Sequence, residues 1–251
     1  MTRHCQRRSR LASFFRYGAG VLVECPLLGL GPDRKRRYLV LRRNLSHLLR
    51  GLYAVTPDRD DTDRLLAEVG AAVAGGCRVV QYRNKTADHP LRCRQAALLA
   101  EFCRSAGACL IINDDLDLAL EIGADGVHLG GDDGDPRLAR QRLGPAKVLG
   151  ISCYNDAGRV DAAVAAGADY VALGAMFASV TKPAAVRASL ELLRAVKASC
   201  PVPVATIGGI NLANAPALVG AGADLVAVVS DLFDAPDIRA RAQAFQNLFN
   251  S

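Results

Sequence analysis

From residue 52 onward the chain alternates between two kinds of hydrophobic pattern. Short continuous apolar runs occupy Leu52–Thr56, Arg78–Arg83, Cys109–Asn113, the stretch through Val127–Leu129, Val148–Ser152, Tyr170–Leu173, Val202–Ile207 and Leu225–Val229. Between them the apolar residues fall at helical spacing. Residues 62–75 carry Leu65, Leu66, Val69, Ala72 and Val73 and stop at Gly75-Gly76; Pro90–Ala106 and Leu116–Ile122 follow, then segments near 156–166, 188–199, 211–220 and 236–249. A further short helix is expected over Asn44–Leu49, ahead of the first strand. Continuous apolar runs are the mark of strands buried on both faces, as in a parallel sheet.

Eight such strand–helix units within about 200 residues predict an α/β single domain, a (β/α)8 TIM barrel. An open doubly wound sheet would carry a Gly-rich turn after its first strand. Val55-Thr56-Pro57-Asp58-Arg59 has none. A repeated phrase supports the barrel: Gly123-Ala124-Asp125, Gly167-Ala168-Asp169 and Gly222-Ala223-Asp224 each end a helix and open a strand. Glycine there suits the left-handed cap, and the aspartate can bind backbone donors of the turn.

Charge divides the chain in two. The net charge of +6 comes from residues 1–50, which hold eleven Arg and one Lys against Glu24 and Asp33; the remainder has 19 basic and 23 acidic residues. Residues 1–43 therefore read as a basic, disordered leader and 44–251 as the barrel domain. A mildly acidic domain has no basic face for nucleic acid. The apolar patch Gly18–Val23 is too short to span a membrane. Eight cysteines without a Cys-x-x-Cys pair make neither a zinc site nor a small disulfide framework, and point to a reducing, cytoplasmic setting. Small-molecule substrates are the expected partners, with a homo-oligomer left open by the sequence.

In a barrel of this kind chemistry gathers where strands end. Gln81, Arg83 and Lys85 alternate along one strand end and so share a face, with Tyr82 and Asn84 on the other. Two cations beside an amide suit a multiply charged anion. Asp114 and Asp133 end neighbouring strands; two carboxylates with phosphate oxygens and water are how Mg2+ is commonly held. Because Asp114, Asp115 and Asp133 all precede helices or loops, at least one of them is expected to be only a helix cap. Lys182 follows the sixth strand. Gly208-Gly209 and Ser230 end the last two, the usual place for a phosphate cradle of backbone amides. No Cys/His or Ser/His/Asp set is expected to converge, and His128, inside a strand, reads as a core residue. Two anion sites without a strong base suggest transfer chemistry driven by a good leaving group.

Taken together, Gln81-x-Arg83-x-Lys85, Asn113-Asp114, Val127-His128-Leu129-Gly130 with Asp133, Ser152, Ser179-Val180-Thr181-Lys182, Gly208-Gly209-Ile210 and Val229-Ser230 resemble the thiamine-phosphate synthase family over residues 50–250. The resemblance implies an enzyme that joins a hydroxymethylpyrimidine diphosphate to a thiazole phosphate and releases pyrophosphate. It implies that Arg83, Lys85, Asn113 and Lys182 hold the diphosphate, that Asp114 and Asp133 hold Mg2+, that Gln81 orients the pyrimidine, and that Ser152 lies beside the reacting centre. Ser179 and Thr181, with the amides around Gly209, Val229 and Ser230, would hold the thiazole phosphate. Arg83, Ser152 and Lys182 would then be the groups nearest the chemistry. Alternatives on the same fold are a thiazole tautomerase, which should depend on a His near position 154, and a non-catalytic phosphate-binding barrel. The chain departs from the family pattern at Tyr82, Asn84, Gly131, Tyr154 and Asp231. Asp231 would either oppose a phosphate on Ser230 or point away from it.

Overall fold

The computed structural model describes residues 14–17, 21–24, 48–131, 133–178 and 186–250. The chain forms two units, Met1–Leu41 and Arg42–Ser251. In the first, where the sequence predicts a disordered leader, β1 (Phe14–Tyr17) pairs antiparallel with β2 (Val21–Glu24). The short helix expected over Asn44–Leu49 lies mostly outside the described residues.

The second unit is a closed barrel of eight parallel strands: β3 (Gly51–Val55), β4 (Val79–Tyr82), β5 (Cys109–Asn113), β6 (Gly126–Leu129), β7 (Val148–Tyr154), β8 (Tyr170–Leu173), β9 (Val204–Ile207) and β10 (Leu225–Val228). Each strand pairs with the next in sequence, and β10 closes onto β3 with Val226 opposite Leu52. Side chains alternate between two apolar environments, as strand geometry requires. Leu52, Ala54, Val80, Leu110, Ile112, Val127 and Leu129 pack outward against helices. Tyr53, Val55, Val79, Cys109, Ile111, Val148, Tyr170 and Ala172 fill the interior.

The helices are α1 (Thr62–Ala74), α2 (His89–Ala106), α3 (Leu116–Glu121), α4 (Pro136–Leu143), α5 (Ala157–Ala165), α6 (Leu190–Ser199), α7 (Ala215–Gly220), α8 (Ser230–Phe233) and α9 (Ile238–Asn247), all but α4 and α8 on expected segments. The hydrophobic pattern does not announce α4, because its charged surface leaves only Ala139 and Leu143 buried. Its signal is at the start instead, where Asp135 caps and Pro136 opens the helix. The ninth strand begins at Val204 rather than Val202, since Pro203 has no N–H for the ladder. The helix expected over 236–249 is α9, and α8 is an added turn between it and β10 that the pattern does not show.

Six aspartates (61, 88, 115, 135, 156 and 237) cap helix N-termini through their side chains. Each such cap contributes about 1 kcal/mol, so much of the domain's acidity is structural. The Gly-Ala-Asp phrases act alike. Gly123, Gly167 and Gly222 sit at φ 68°, 88° and 100°. The aspartates bond not the turn but the neighbouring strand: Asp125 accepts from Leu110 N at 2.8 Å, Asp169 from Leu149 N at 2.9 Å and Asp224 from Val204 N at 2.8 Å. Each phrase thus ties one strand start to the previous strand, at the rim opposite the strand ends. Among the described residues no helix is long and apolar enough to cross a membrane, and the six described cysteines are free.

Candidate active site

Beyond β3, Thr56 is fully buried; its hydroxyl accepts from Arg83 N and donates to Arg83 O, both at 2.9 Å. Two residues further on, Asp58 accepts from Arg83 Nη1 at 3.0 Å and from Lys85 N at 2.9 Å. One carboxylate therefore sets both the guanidinium and the backbone of the next cation, a role the sequence did not reveal. Asn84 points to the opposite side, as the alternation predicts. It is buried, donates to Arg59 O at 2.8 Å, and accepts from Ala87 N at 3.0 Å, which shapes the loop leading into α2.

On β5, Asp114 leaves the strand at φ 63°, an uncommon conformation for a residue with a side chain. Its carboxylate meets Lys85 Nζ at 3.1 Å. Burial pushes its pKa up, but hydrogen bonds from Asp133 and Lys85 outweigh burial and hold it below the ordinary carboxylate range. Asp133 moves the other way: burial and the neighbouring Asp114 raise it. Asp133 also accepts from Gly130 N at 2.7 Å. Asp115 is the plain helix cap, accepting from Leu118 N at 2.9 Å.

Ser152 on β7 and His128 on β6 are in contact, with His128 Nε2 and Ser152 Oγ 2.8 Å apart, and among the described residues no carboxylate joins them, as expected. They are not a catalytic triad. Behind His128 stands the Tyr170 hydroxyl, at 2.8 Å from Nδ1, not a carboxylate. Burial pushes the His128 pKa down to about 4, so near neutral pH the ring is uncharged. Gln81, expected at the mouth, is buried and donates from Nε2 to the Tyr53 hydroxyl at 2.6 Å.

Two cavities open at this end. One, of about 680 Å3, is lined by Lys85, Asn113, Asp114 and Asp133, and also by Arg92 and Arg142. Arg92 Nε is buried without a hydrogen-bond partner. The other, of about 430 Å3, is lined by Gly209, Ser230, Asp231 and Arg241 among others. Gly209 has φ 61°, and a Cβ there would stand 2.3 Å from Ala178 O, so only glycine fits. Asp231 turns to Arg241 Nη1 at 2.8 Å and accepts from Leu212 N at 3.3 Å, so an arginine balances its charge. Tyr154, at φ 54°, accepts from Gly131 N at 3.0 Å. A Cβ on Gly131 would stand 3.1 Å from the Tyr154 ring, so the departures at 131 and 154 are one packing choice. Ser179, Thr181 and Lys182 lie outside the described residues.

A closed parallel barrel whose strand ends carry clustered cations, carboxylates and glycine-rich turns defines a barrel enzyme for phosphorylated small molecules. The family model for thiamine monophosphate synthase matches residues 52–232. The thiamine-phosphate synthase of Aromatoleum aromaticum is 55% identical over 203 residues, covering 81% of this chain and 98% of that protein. That of Bordetella pertussis is 53% identical over 206 residues, covering 80% and 95%. A solved structure of thiamine phosphate pyrophosphorylase from Pyrococcus furiosus superposes with a TM-score of 0.73 at 31% identity, covering 82% of this chain and 98% of that one. This chain belongs to the thiamine monophosphate synthase family.

Proposed function

We propose that the site condenses a hydroxymethylpyrimidine diphosphate with a thiazole phosphate, by departure of pyrophosphate ahead of attack. The C–O bond to the diphosphate breaks and its electron pair leaves with pyrophosphate; the thiazole nitrogen then supplies the pair for the new C–N bond. Arg83, Lys85, Asn113 and Lys182 receive the diphosphate. Backbone amides around Gly209, Val229 and Ser230, with Ser179 and Thr181, receive the thiazole phosphate. Gln81 orients the pyrimidine and Ser152 sits beside the reacting carbon.

The observation that carries this reading is the Asp114–Asp133 pair. Two adjacent carboxyls whose pKa values push each other in opposite directions suit a divalent cation, whose charge would offset both. The cation supported by this donor set is Mg2+, completed by phosphate oxygens and water. Bound there, Mg2+ would offset negative charge on the departing diphosphate. The chain's own cations act in the same sense, since positive charge held ready at a leaving group stabilises the transition state without any reorganisation during the reaction. The tautomerase alternative has no His at position 154, and the Tyr154 hydroxyl is committed to Gly131 N. A product assay with both substrates tests the reading: pyrophosphate release should require both substrates and Mg2+. Equal turnover after chelation, or thiazole isomerisation without pyrophosphate, would refute it.

A further inference from the structure

A chain of hydrogen bonds crosses the barrel interior from Gln81 to Ser152. Gln81 Nε2 donates to the Tyr53 hydroxyl at 2.6 Å; the Tyr53 and Tyr170 hydroxyls are 2.7 Å apart; Tyr170 Oη is 2.8 Å from His128 Nδ1; His128 Nε2 is 2.8 Å from Ser152 Oγ. The links come from five strands, β3, β4, β6, β7 and β8. Tyr53 and Tyr170 are 1% and 0% exposed, so neither hydroxyl reaches bulk solvent.

The strand register builds the crossing. His128, Gly150 and Tyr170 are consecutive partners across β6, β7 and β8. The Tyr170 ring reaches His128 by passing over Gly150, where a Cβ would lie 2.1 Å from ring carbon Cζ. It stacks on His128 with centroids 5.6 Å apart at 25°, and meets Tyr53 edge-on at 5.8 Å and 85°.

Proton accounting gives the chain a direction. An amide N–H only donates, so Tyr53 Oη accepts from Gln81. Within the described contacts, the Tyr53 proton then has one acceptor, Tyr170 Oη. Tyr170 in turn gives its proton to His128 Nδ1. A neutral imidazole carries one N–H, so His128 holds it on Nε2 and donates to Ser152 Oγ. The Ser152 proton is left to point away from the interior.

We infer that Tyr53, Tyr170 and His128 are positioning residues that polarise this chain so that Ser152 meets the bound substrate as a hydrogen-bond donor. The inference rests on the proposed placement of Ser152 beside the reacting centre. None of the three residues need touch substrate. The opposite polarity would present Ser152 as an acceptor and would require the Gln81 amide to be turned over.

Long-range 15N NMR of the resting protein reads the tautomer directly and needs no substrate, so it stands apart from the reading of the reaction. The chain has four histidines, and His128→Gln identifies the signal. An Nε2–H tautomer from pH 6 to 8 is expected; an Nδ1–H tautomer overturns the proposal. A kinetic cycle tests the link to Ser152. Tyr170→Phe keeps the ring and its packing while cutting the chain, and should lower kcat/KM about tenfold, the worth of one buried hydrogen bond. In a Ser152→Ala background the same change should alter kcat/KM by less than about twofold. If Tyr170→Phe costs the same factor in both backgrounds, it acts through packing and the positioning role is wrong. Complete lack of synthase activity in the parent protein would count against the proposed reaction, while the tautomer would still decide the polarity.

Discussion

Replacing Gly150 by alanine puts the barrel interior under a defined load. The added methyl would stand 2.1, 2.3 and 2.4 Å from Cζ, Oη and Cε1 of Tyr170. Carbon contacts settle near 3.5–4.0 Å, roughly a further 1.5 Å out. Tyr170 cannot give that distance: it is fully buried, stacked on His128 and bonded through its hydroxyl on two sides. Overpacking of a filled core costs about 1–3 kcal/mol. Displacing the hydroxyl adds about 1 kcal/mol for each hydrogen bond lost. Together these give about 2–5 kcal/mol, which for a domain of this size lowers Tm by about 4–20 °C. Thermal melts of wild type, Gly150→Ala and Gly220→Ala make the comparison. Gly220 ends α7, and a methyl group there would meet nothing within 4 Å, so that change should fall within about 1 kcal/mol of wild type. A Gly150→Ala protein melting within about 2 °C of wild type would refute the packing argument.

Three further outcomes follow from the site. Asp58→Ala removes the acceptor shared by Arg83 and Lys85; steady-state kinetics should show KM for the pyrimidine diphosphate raised about 5–30-fold, worth about 1–2 kcal/mol. His128 is held neutral by burial, with a pKa of about 4 against 6.5 in the unfolded chain. Its contribution to stability is therefore complete above pH 6.5 and is lost as pH falls through 4, by about 3 kcal/mol in all; the fall in Tm between about pH 7 and 4 should be shallower in His128→Gln. Asp231→Asn loses a partly exposed pair with Arg241, so denaturant titration should show a change under about 1 kcal/mol, and KM for the thiazole phosphate should not improve. A large gain in thiazole-phosphate affinity would mean the carboxylate faces the phosphate after all.

The barrel was legible because burial on both faces writes strands as unbroken apolar runs, and because the Gly-Ala-Asp phrase marks three strand starts. Helix α4 escaped because a helix that buries two residues leaves little periodicity. At the site, residues that end strands could be read one at a time: Gln81, Lys85, Asp114, Asp133 and Ser230 each stand out against apolar surroundings. What could not be read is what joins them. Tyr53 and Tyr170 look like ordinary core aromatics and lie 117 residues apart in sequence. The Ser152–His128 contact depends on which strands adjoin and in what register. Asp58 reads as a turn residue after Pro57, and only the folded loop brings it to Arg83. Arg92, on the first turns of α2, enters the first cavity for the same non-local reason.

The claim that one set of strand ends gathers a cation-bound diphosphate and a singly phosphorylated thiazole is tested most directly by a crystal structure with Mg2+, pyrophosphate and thiamine phosphate. The account predicts a metal ion between Asp114 and Asp133, pyrophosphate against Arg83, Lys85 and Asn113, and the thiamine phosphate group on the amides of Gly209 and Ser230. Ligand density at the opposite end of the barrel, or a metal ion away from both aspartates, would contradict it.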